Sequence, residues 1–221
     1  MYHKGSGVQN DDTEAIKWYR KGVEQGEAKA QRRLGFMYQN GLGVIQDYKE
    51  AVRLYHLSAE QSDAPAQNNL GWMFSNGLGV TKDEAEAVNW YRKAAEQGHA
   101  DAQNHLGWMF ANGFGVAKDE VEAVNWYRKA AEQGHAQALN NLGWMFANGL
   151  GVTKDEAEAV NWYRKAADQG NADAQNHLGK MFQNGLGVSK NRAEAITWYR
   201  KAAEQGNEDA ISQLKEWGEI W

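Results

Sequence analysis

DAQNHLGWMFANGFGVAKDEVEAVNWYRKAAEQGHA, residues 101–136, is the stretch whose reading decides the fold. Displaced by its own length of 36 residues in either direction, it lays Leu-Gly on Leu-Gly at 34–35, 70–71, 106–107, 142–143 and 178–179. It also lays a Trp-Tyr or Leu-Tyr pair on its like at 18–19, 54–55, 90–91, 126–127, 162–163 and 198–199, with no gap. A fixed period of this length marks a solenoid, in which each unit buries its apolar face only by stacking on its neighbours. The expected fold is all-α, about six helix-turn-helix repeats forming a single elongated domain over 1–221, with a partial N-terminal repeat over 1–10 and a terminal cap helix over 207–221.

Within a repeat the helix ends are explicit. Asp11, Asp47, Asp83, Asp119, Asp155 and Asn191 share one position, and a Glu follows three residues later in each case (Glu14 to Glu194). This spacing predicts a capping box, the Asx side chain accepting a backbone N–H and the Glu reaching back, both favourable at the positive end of a helix. The six carboxylate pairs are therefore structural. Gly26, Gly98, Gly134, Gly170 and Gly206 stand where a left-handed residue ends that helix, and Ser62 in their place predicts a less sharp stop. Fourteen-residue helices such as 12–25 follow.

The other helix of each repeat starts near Asp63, His99, His135, Asn171 or Asn207 and stops at Asn-Gly, with the only proline, Pro65, in a first turn where its missing N–H costs nothing. Gly-x-Gly-Val then reverses the chain. Neither GxxxxGK[ST] nor a strand-anchored GxGxxG is present, so these glycines serve a helix–helix turn rather than a phosphate. At roughly 100° per residue Ala102, Leu106, Met109 and Phe110 form one apolar stripe and Ala123, Tyr127, Ala130 and Ala131 another. A mid-helix glycine such as Gly107 costs about 0.8–1 kcal/mol against Ala, and its recurrence points to close helix approach.

Charge and composition narrow the function. The net charge of −5 argues against a general nucleic-acid binder. The absence of cysteine removes disulfides, thiolate metal sites and a Cys nucleophile. No apolar run approaches the roughly 18 residues of a membrane span, and MYHKGSGV lacks the apolar core of a signal peptide, so the chain reads as soluble with its compartment open. Met1–Val8 is in register with Met37–Val44. The chain thus starts inside a repeat, either as a fragment of a longer array or as a native start with a short first helix.

The pattern A-x-x-x-LG-x-M[YF]-x-NG-x-GV-x-x-[DN]-x-x-EA-x-x-[WL]Y resembles that of Sel-one-like repeats, a branch of the tetratricopeptide-repeat superfamily, over the whole chain. The resemblance implies a right-handed α/α superhelix whose first helices line a concave face and which acts as an adaptor for protein partners. The cysteine-rich members carry a disulfide in each repeat; this chain has no cysteine, and their proposed penicillin-binding activity is not carried over.

The candidate chemistry is non-catalytic. His99 and His135 are a whole repeat apart, on the order of 10 Å, too far to share a metal; with His105 and His177 they are expected to be solvated or capping. Serine is sparse and none recurs with a base, so no enzyme, metal site or cofactor is expected. The tryptophans fall into two classes. Trp18, Trp90, Trp126, Trp162 and Trp198 flank the core stripe and should fill the joints between repeats. Trp72, Trp108 and Trp144 lie on the side turned away from the core, together with Asn68, Asn104 and Asn140 four residues earlier. Either neighbouring helices partly cover these rings or they form an aromatic floor with amide clamps. On the second reading Asn68, Asn104, Asn140 and Asn176 hydrogen-bond the backbone of a bound protein segment, about three ligand residues per repeat, and Trp72, Trp108 and Trp144 anchor it. Phe36, with Arg32 and Arg33, and Lys180 flank this ladder as groups that would orient an acidic partner. Exposed Trp with Asn would also suit a glycan such as a cell-wall sugar, and less well a single-stranded RNA.

Overall fold

The structure, a computed structural model, describes residues 12–219. Asp11 and the register drawn for Met1–Val8 lie outside them, as do the last two residues of the expected terminal cap. All secondary structure among the described residues is helical. Six helices carry the Trp-Tyr or Leu-Tyr pair: α1 (Asp12–Glu24), α3 (Tyr48–Ala59), α5 (Glu84–Glu96), α7 (Glu120–Glu132), α9 (Glu156–Asp168) and α11 (Arg192–Glu204). They alternate with the Leu-Gly helices α2 (Ala28–Asn40), α4 (Ala64–Asn76), α6 (Ala100–Asn112), α8 (Ala136–Asn148) and α10 (Ala172–Asn184), and the last helix, α12 (Glu208–Glu216), occupies the same repeat position. No described helix is long and apolar enough to cross a membrane.

The caps explain these limits. Asp47, Asp83, Asp119, Asp155 and Asn191 each accept the backbone N–H three residues on, at 2.9–3.2 Å. The reciprocal arm of the capping box is replaced. The N–H of each of these residues goes to the carbonyl of an aromatic in the preceding Leu-Gly helix, from Asp47 to Tyr38, Asp83 to Phe74 and so on to Asn191 and Phe182. The glutamates turn outward, and Glu50 holds Arg53 at 2.7 and 2.8 Å. This cap therefore ties the two helices of a repeat together as well as starting one of them. Ser62 departs from expectation: it takes the left-handed φ of 63° that Gly26 (77°) and Gly98 (87°) take. Its N–H reaches Ala59 O at 3.0 Å, as that of Gly98 reaches Ala95 O. The turn geometry is kept, at a strain of about 1–2 kcal/mol for a residue with a Cβ.

The helices group into two compact units. One holds the chain up to Met109 with the turn Gly113–Ala117; the other holds Phe110–Asn112 and the chain from Lys118. In the first, Ala15 and Ile16 of α1, Leu34 and Met37 of α2 and Leu54 of α3 form one buried cluster. Val52 and Tyr55 of α3, Leu70 and Met73 of α4 and Trp90 of α5 belong to the next. In the second unit the stripe passes through Val124, Leu142, Met145, Tyr163, Leu178, Met181, Tyr199 and Leu214, all buried.

The recurring Leu-Gly glycine does serve close approach, and what approaches is a tyrosine ring. A Cβ on Gly71 would stand 2.6 Å from Tyr91, on Gly143 2.8 Å from Tyr163 and on Gly179 2.7 Å from Tyr199. A half-buried carboxamide ladder, unforeseen in the sequence, runs beside this packing: exposed Gln61, Gln97 and Gln205 donate to buried Gln31, Gln67 and Gln175 at 2.7–2.8 Å, joining the start of one helix to the end of the next.

Candidate partner-binding faces

Trp72 on α4, Trp108 on α6 and Trp144 on α8 stand 36%, 45% and 45% exposed, and Phe36 on α2 39%. The expectation of rings turned away from the core is met. The backbone beneath is fixed by the asparagine that ends each helix, Asn76 donating to Trp72 O and Asn148 to Trp144 O at 2.8 Å. Phe114 backs Trp108 with ring centroids 4.9 Å apart. The other class of tryptophan is buried at Trp90 (5%), Trp126 (6%) and Trp198 (9%), and Trp162 is half-buried. Trp18, expected in a joint, is 51% exposed. Trp90 packs edge-on against His56 of the preceding Leu-Tyr helix, 5.2 Å between centroids.

The asparagines are not a solvent-facing stripe. Asn68, Asn104, Asn140 and Asn176 are 9%, 8%, 5% and 4% exposed. Four residues advance a helix by about 400°, so each Asn sits about 40° round from its Trp, enough to turn it toward the next Leu-Gly helix. There His105 Nδ1 donates to Asn68 Oδ1 at 3.0 Å, and His177 Nδ1 to Asn140 Oδ1 at 3.0 Å. Each imidazole lies over a tyrosine, His105 on Tyr91 and His177 on Tyr163, at 4.8 Å. As backbone clamps for a ligand, Asn68 and Asn140 are already engaged. His105 and His177 accordingly act between repeats rather than in solvent, while His99 and His135 cap their helices as expected, accepting from Ala102 and Ala138 N–H. Burial pushes the His177 pKa down, with Lys180 adding to the shift and Asp173 and Asp209 opposing it, so its neutral form is favoured.

Two of the three flanking cations, Arg32 and Lys180, are engaged too. Arg32 Nε is 2.9 Å from Asp63 and Lys180 Nζ 2.8 Å from Asp209, so each is neutralised by a carboxylate of the chain instead of standing ready for an acidic partner. The hydrogen bond from Lys180 holds the Asp209 carboxyl below the ordinary range. No group of three or more His, Asp or Glu that could hold a metal occurs among the described residues.

Between the exposed rings of the first unit lies a pocket of about 170 Å³, lined by Trp72, Ser75, Asn76, Tyr91, His105, Trp108 and Met109. Drug-sized ligands occupy roughly 300–1,000 Å³, so this pocket is of a size for one side chain. In the second unit a larger, shallow hollow of about 460 Å³ lies among Glu122, Asn125, Arg128, Lys129 and Glu132 on α7. Sequence reasoning missed the pocket, whose Ser75 is one of three short residues, with Ala111 and Ala147, at a repeat position that is Gln at its two ends. Gln39 and Gln183 share the position of Ser75, and Tyr55 and Tyr199 donate to Gln39 (2.6 Å) and Gln183. Tyr91, 3% exposed, has no hydrogen-bond partner among the described residues, and burial raises its pKa.

The Sel1 repeat family matches residues 1–27, 28–63, 64–99, 100–135, 136–171 and 172–207. Among curated proteins none matches the sequence. Among solved structures, the chain is similar to c5321, a protective antigen of uropathogenic Escherichia coli displaying an SLR fold, at 41% identity and a TM-score of 0.88 over 98% of this chain and 47% of that one. It therefore spans about half the length of that antigen. It is also similar to a Sel1 repeat protein of Oxalobacter formigenes, at 35% identity and a TM-score of 0.84 over 93% of this chain and 87% of that one. A Klebsiella pneumoniae repeat protein, 21% identical with a TM-score of 0.59 over 91% of this chain and 98% of that one, shares the fold.

Proposed function

Since the chain belongs to the Sel1 repeat family, an all-α solenoid class whose members generally mediate protein–protein interaction, we propose that it is a non-catalytic scaffold that binds a protein segment on the face of its Leu-Gly helices. Trp72 and Trp108 are the anchors in the first unit, and Trp144 plays that part in the second. The observation that carries the reading is the recurring exposure of the first-helix tryptophans, 36–45%, against at most 9% for Trp90, Trp126 and Trp198, with Trp162 half-buried and Trp18 51% exposed. Covering what remains open of one such ring, on the order of 100 Å², is worth about 2–3 kcal/mol. Two rings together supply a large share of a micromolar affinity of about 8 kcal/mol. With Arg32 and Lys180 tied to carboxylates, the face offers little to a polyanion.

Panning a random peptide library on the protein, then measuring the selected peptides against a Trp72→Ala/Trp108→Ala variant, tests the reading. The variant should lose at least tenfold in affinity while its helical circular dichroism stays unchanged. Full affinity in a folded variant would place the site elsewhere, the Glu122, Asn125 and Lys129 surface being next to examine. Failure to select any peptide, together with a hit on a glycan array that the same variant loses, would assign the rings to a sugar.

A further inference from the structure

The tryptophans of this chain divide by what stands three residues after them. In each Trp-Tyr helix that residue is a lysine: Lys21 after Trp18, Lys93 after Trp90, Lys129 after Trp126, Lys165 after Trp162 and Lys201 after Trp198. Its Nζ stands over the ring, 3.8–4.6 Å from the centroid. A spacing of three puts both side chains on one helix face, where the cation meets the negative face of the ring while its head stays in water. α3 provides the internal comparison: it has Leu54 in place of the tryptophan, and three residues on it has Leu57. The Leu-Gly helices depart from this pairing. Ser75, Ala111 and Ala147 follow Trp72, Trp108 and Trp144 at the same spacing, all too short to cover a ring. None of α4, α6 and α8 contains a Lys or Arg, and α6 contains Asp101. Ser75 lies in the wall of the pocket between Trp72 and Trp108, and no Lys or Arg lines that pocket.

On the reading of this face as partner-binding, we infer that the pocket receives a cationic side chain of the partner, a Lys or Arg in chemical class, which takes over Trp72 the place that Lys93 takes over Trp90. Charge agrees. The chain carries a net −5, and the pocket wall holds no Lys or Arg to repel an incoming cation. Size agrees as well: the pocket measures about 170 Å³, and an engineered cavity of about 150 Å³ already holds benzene, whose bulk is close to that of the end of a Lys or Arg side chain. Trp72 is 36% exposed, so a cation resting on it keeps water on its outer side, as exposed Lys93 does over Trp90, and escapes the cost of a fully buried charge. A carboxylate would instead meet the negative faces of the indoles.

The test uses the whole chain, labelled so that its indole N–H signals are read by NMR, with two probes: Nα-acetyl-lysine methylamide and its Nε-acetylated form, which keeps the stem and loses the charge. At low ionic strength the lysine probe should shift the Trp72 signal saturably, with a Kd at least about threefold below that of the acetylated probe. Ser75→Lys, which rebuilds on α4 the spacing of Trp90 and Lys93, should abolish that preference. Trp72→Leu, read from the Trp108 signal, should bring the two probes to equal affinity. Circular dichroism checks that both variants fold, and the comparison of the probes on the natural chain stands without them. An acetylated probe that binds as tightly as lysine, no saturable shift at Trp72, or an unchanged lysine preference in folded Ser75→Lys would overturn the inference. An arginine or trimethyl-lysine probe that outdoes the acetylated form by more than lysine does upholds it and names the cation. Library-selected peptides separate this from the broader reading. Peptides that need Trp72 and Trp108 but carry no Lys or Arg leave the scaffold function standing and remove the cation. Peptides indifferent to the tryptophans remove the function itself.

Discussion

Trp72 and Trp90 belong to one helix pair, α4 and α5, and meet opposite surroundings. Trp90 is 5% exposed, inside a cluster with Tyr55, Leu70 and Met73, with the His56 ring against its edge and Lys93 Nζ 3.9 Å from its ring centroid. Trp72 is 36% exposed at the mouth of a pocket. Residue type does not separate them, and neither does helix propensity. What differs is the neighbour: the Trp-Tyr helix is covered by the preceding repeat on its tryptophan side, and the Leu-Gly helix leaves that flank open. Trp18, at the equivalent position of α1, is 51% exposed, with Lys21 Nζ 4.6 Å from its ring centroid.

The largest effect expected from this contrast is on stability. Trp90→Ala should cost about 3–5 kcal/mol, read from the urea midpoint, because it opens a cavity between repeats, whereas Trp72→Ala should cost under about 1 kcal/mol. Equal costs would mean that Trp72 is a packing residue and that its exposure says nothing about binding.

Next in size is the adjacent pair. Gly71 precedes Trp72 and Tyr91 follows Trp90, and a Cβ at Gly71 would meet the Tyr91 ring at 2.6 Å. Gly71→Ala should therefore destabilise by about 1–3 kcal/mol, although Ala has the better helix propensity by about 1 kcal/mol. If Gly71→Ala instead raises the midpoint, the two helices are free to move apart, and the buried and exposed tryptophans are not held in their places by this contact.

The smallest effect concerns the polar pairs that bury the asparagines beneath the exposed rings. The folded-state pKa of His177 lies below its unfolded value of 6.5, so its neutral form contributes stability that is present above that value. This stability is lost as the pH falls through the lowered folded pKa. The urea midpoint should decline from pH 7 to pH 5, and His177→Asn, which installs the residue that Asn141 supplies one repeat earlier, should flatten part of that decline. An unchanged slope in the variant would show that the Asn140–His177 pair is not what the acid disrupts.

Much of this structure was legible in the residues. The Asx caps, the left-handed glycines, Pro65 in a first turn and the two apolar stripes all depend on interactions within a few residues, where spacing dictates geometry. Trp72, Trp108 and Trp144 were legible as exposed for the same reason. The asparagines were misread because angle around one helix axis cannot say what stands beside that helix. A residue 40° from an open flank is already under the next repeat, and Asn68 and Asn140 meet their histidines 37 positions away. Ser62 was misread because the turn is held by hydrogen bonds that its side chain does not choose.

The sequence by itself determined an array of 36-residue helix pairs, where each helix starts and stops, and which stripe goes inside, because these follow from backbone hydrogen bonding and from the periodicity of apolar residues. Tertiary structure alone decided which polar groups are used up and which remain for a partner. Asn68 is consumed by His105, Lys180 by Asp209 and Tyr55 by Gln39, while Tyr91 is left without a partner among the described residues. Those outcomes depend on side chains one turn or one repeat away meeting within hydrogen-bond distance, and only the packed neighbours set that distance.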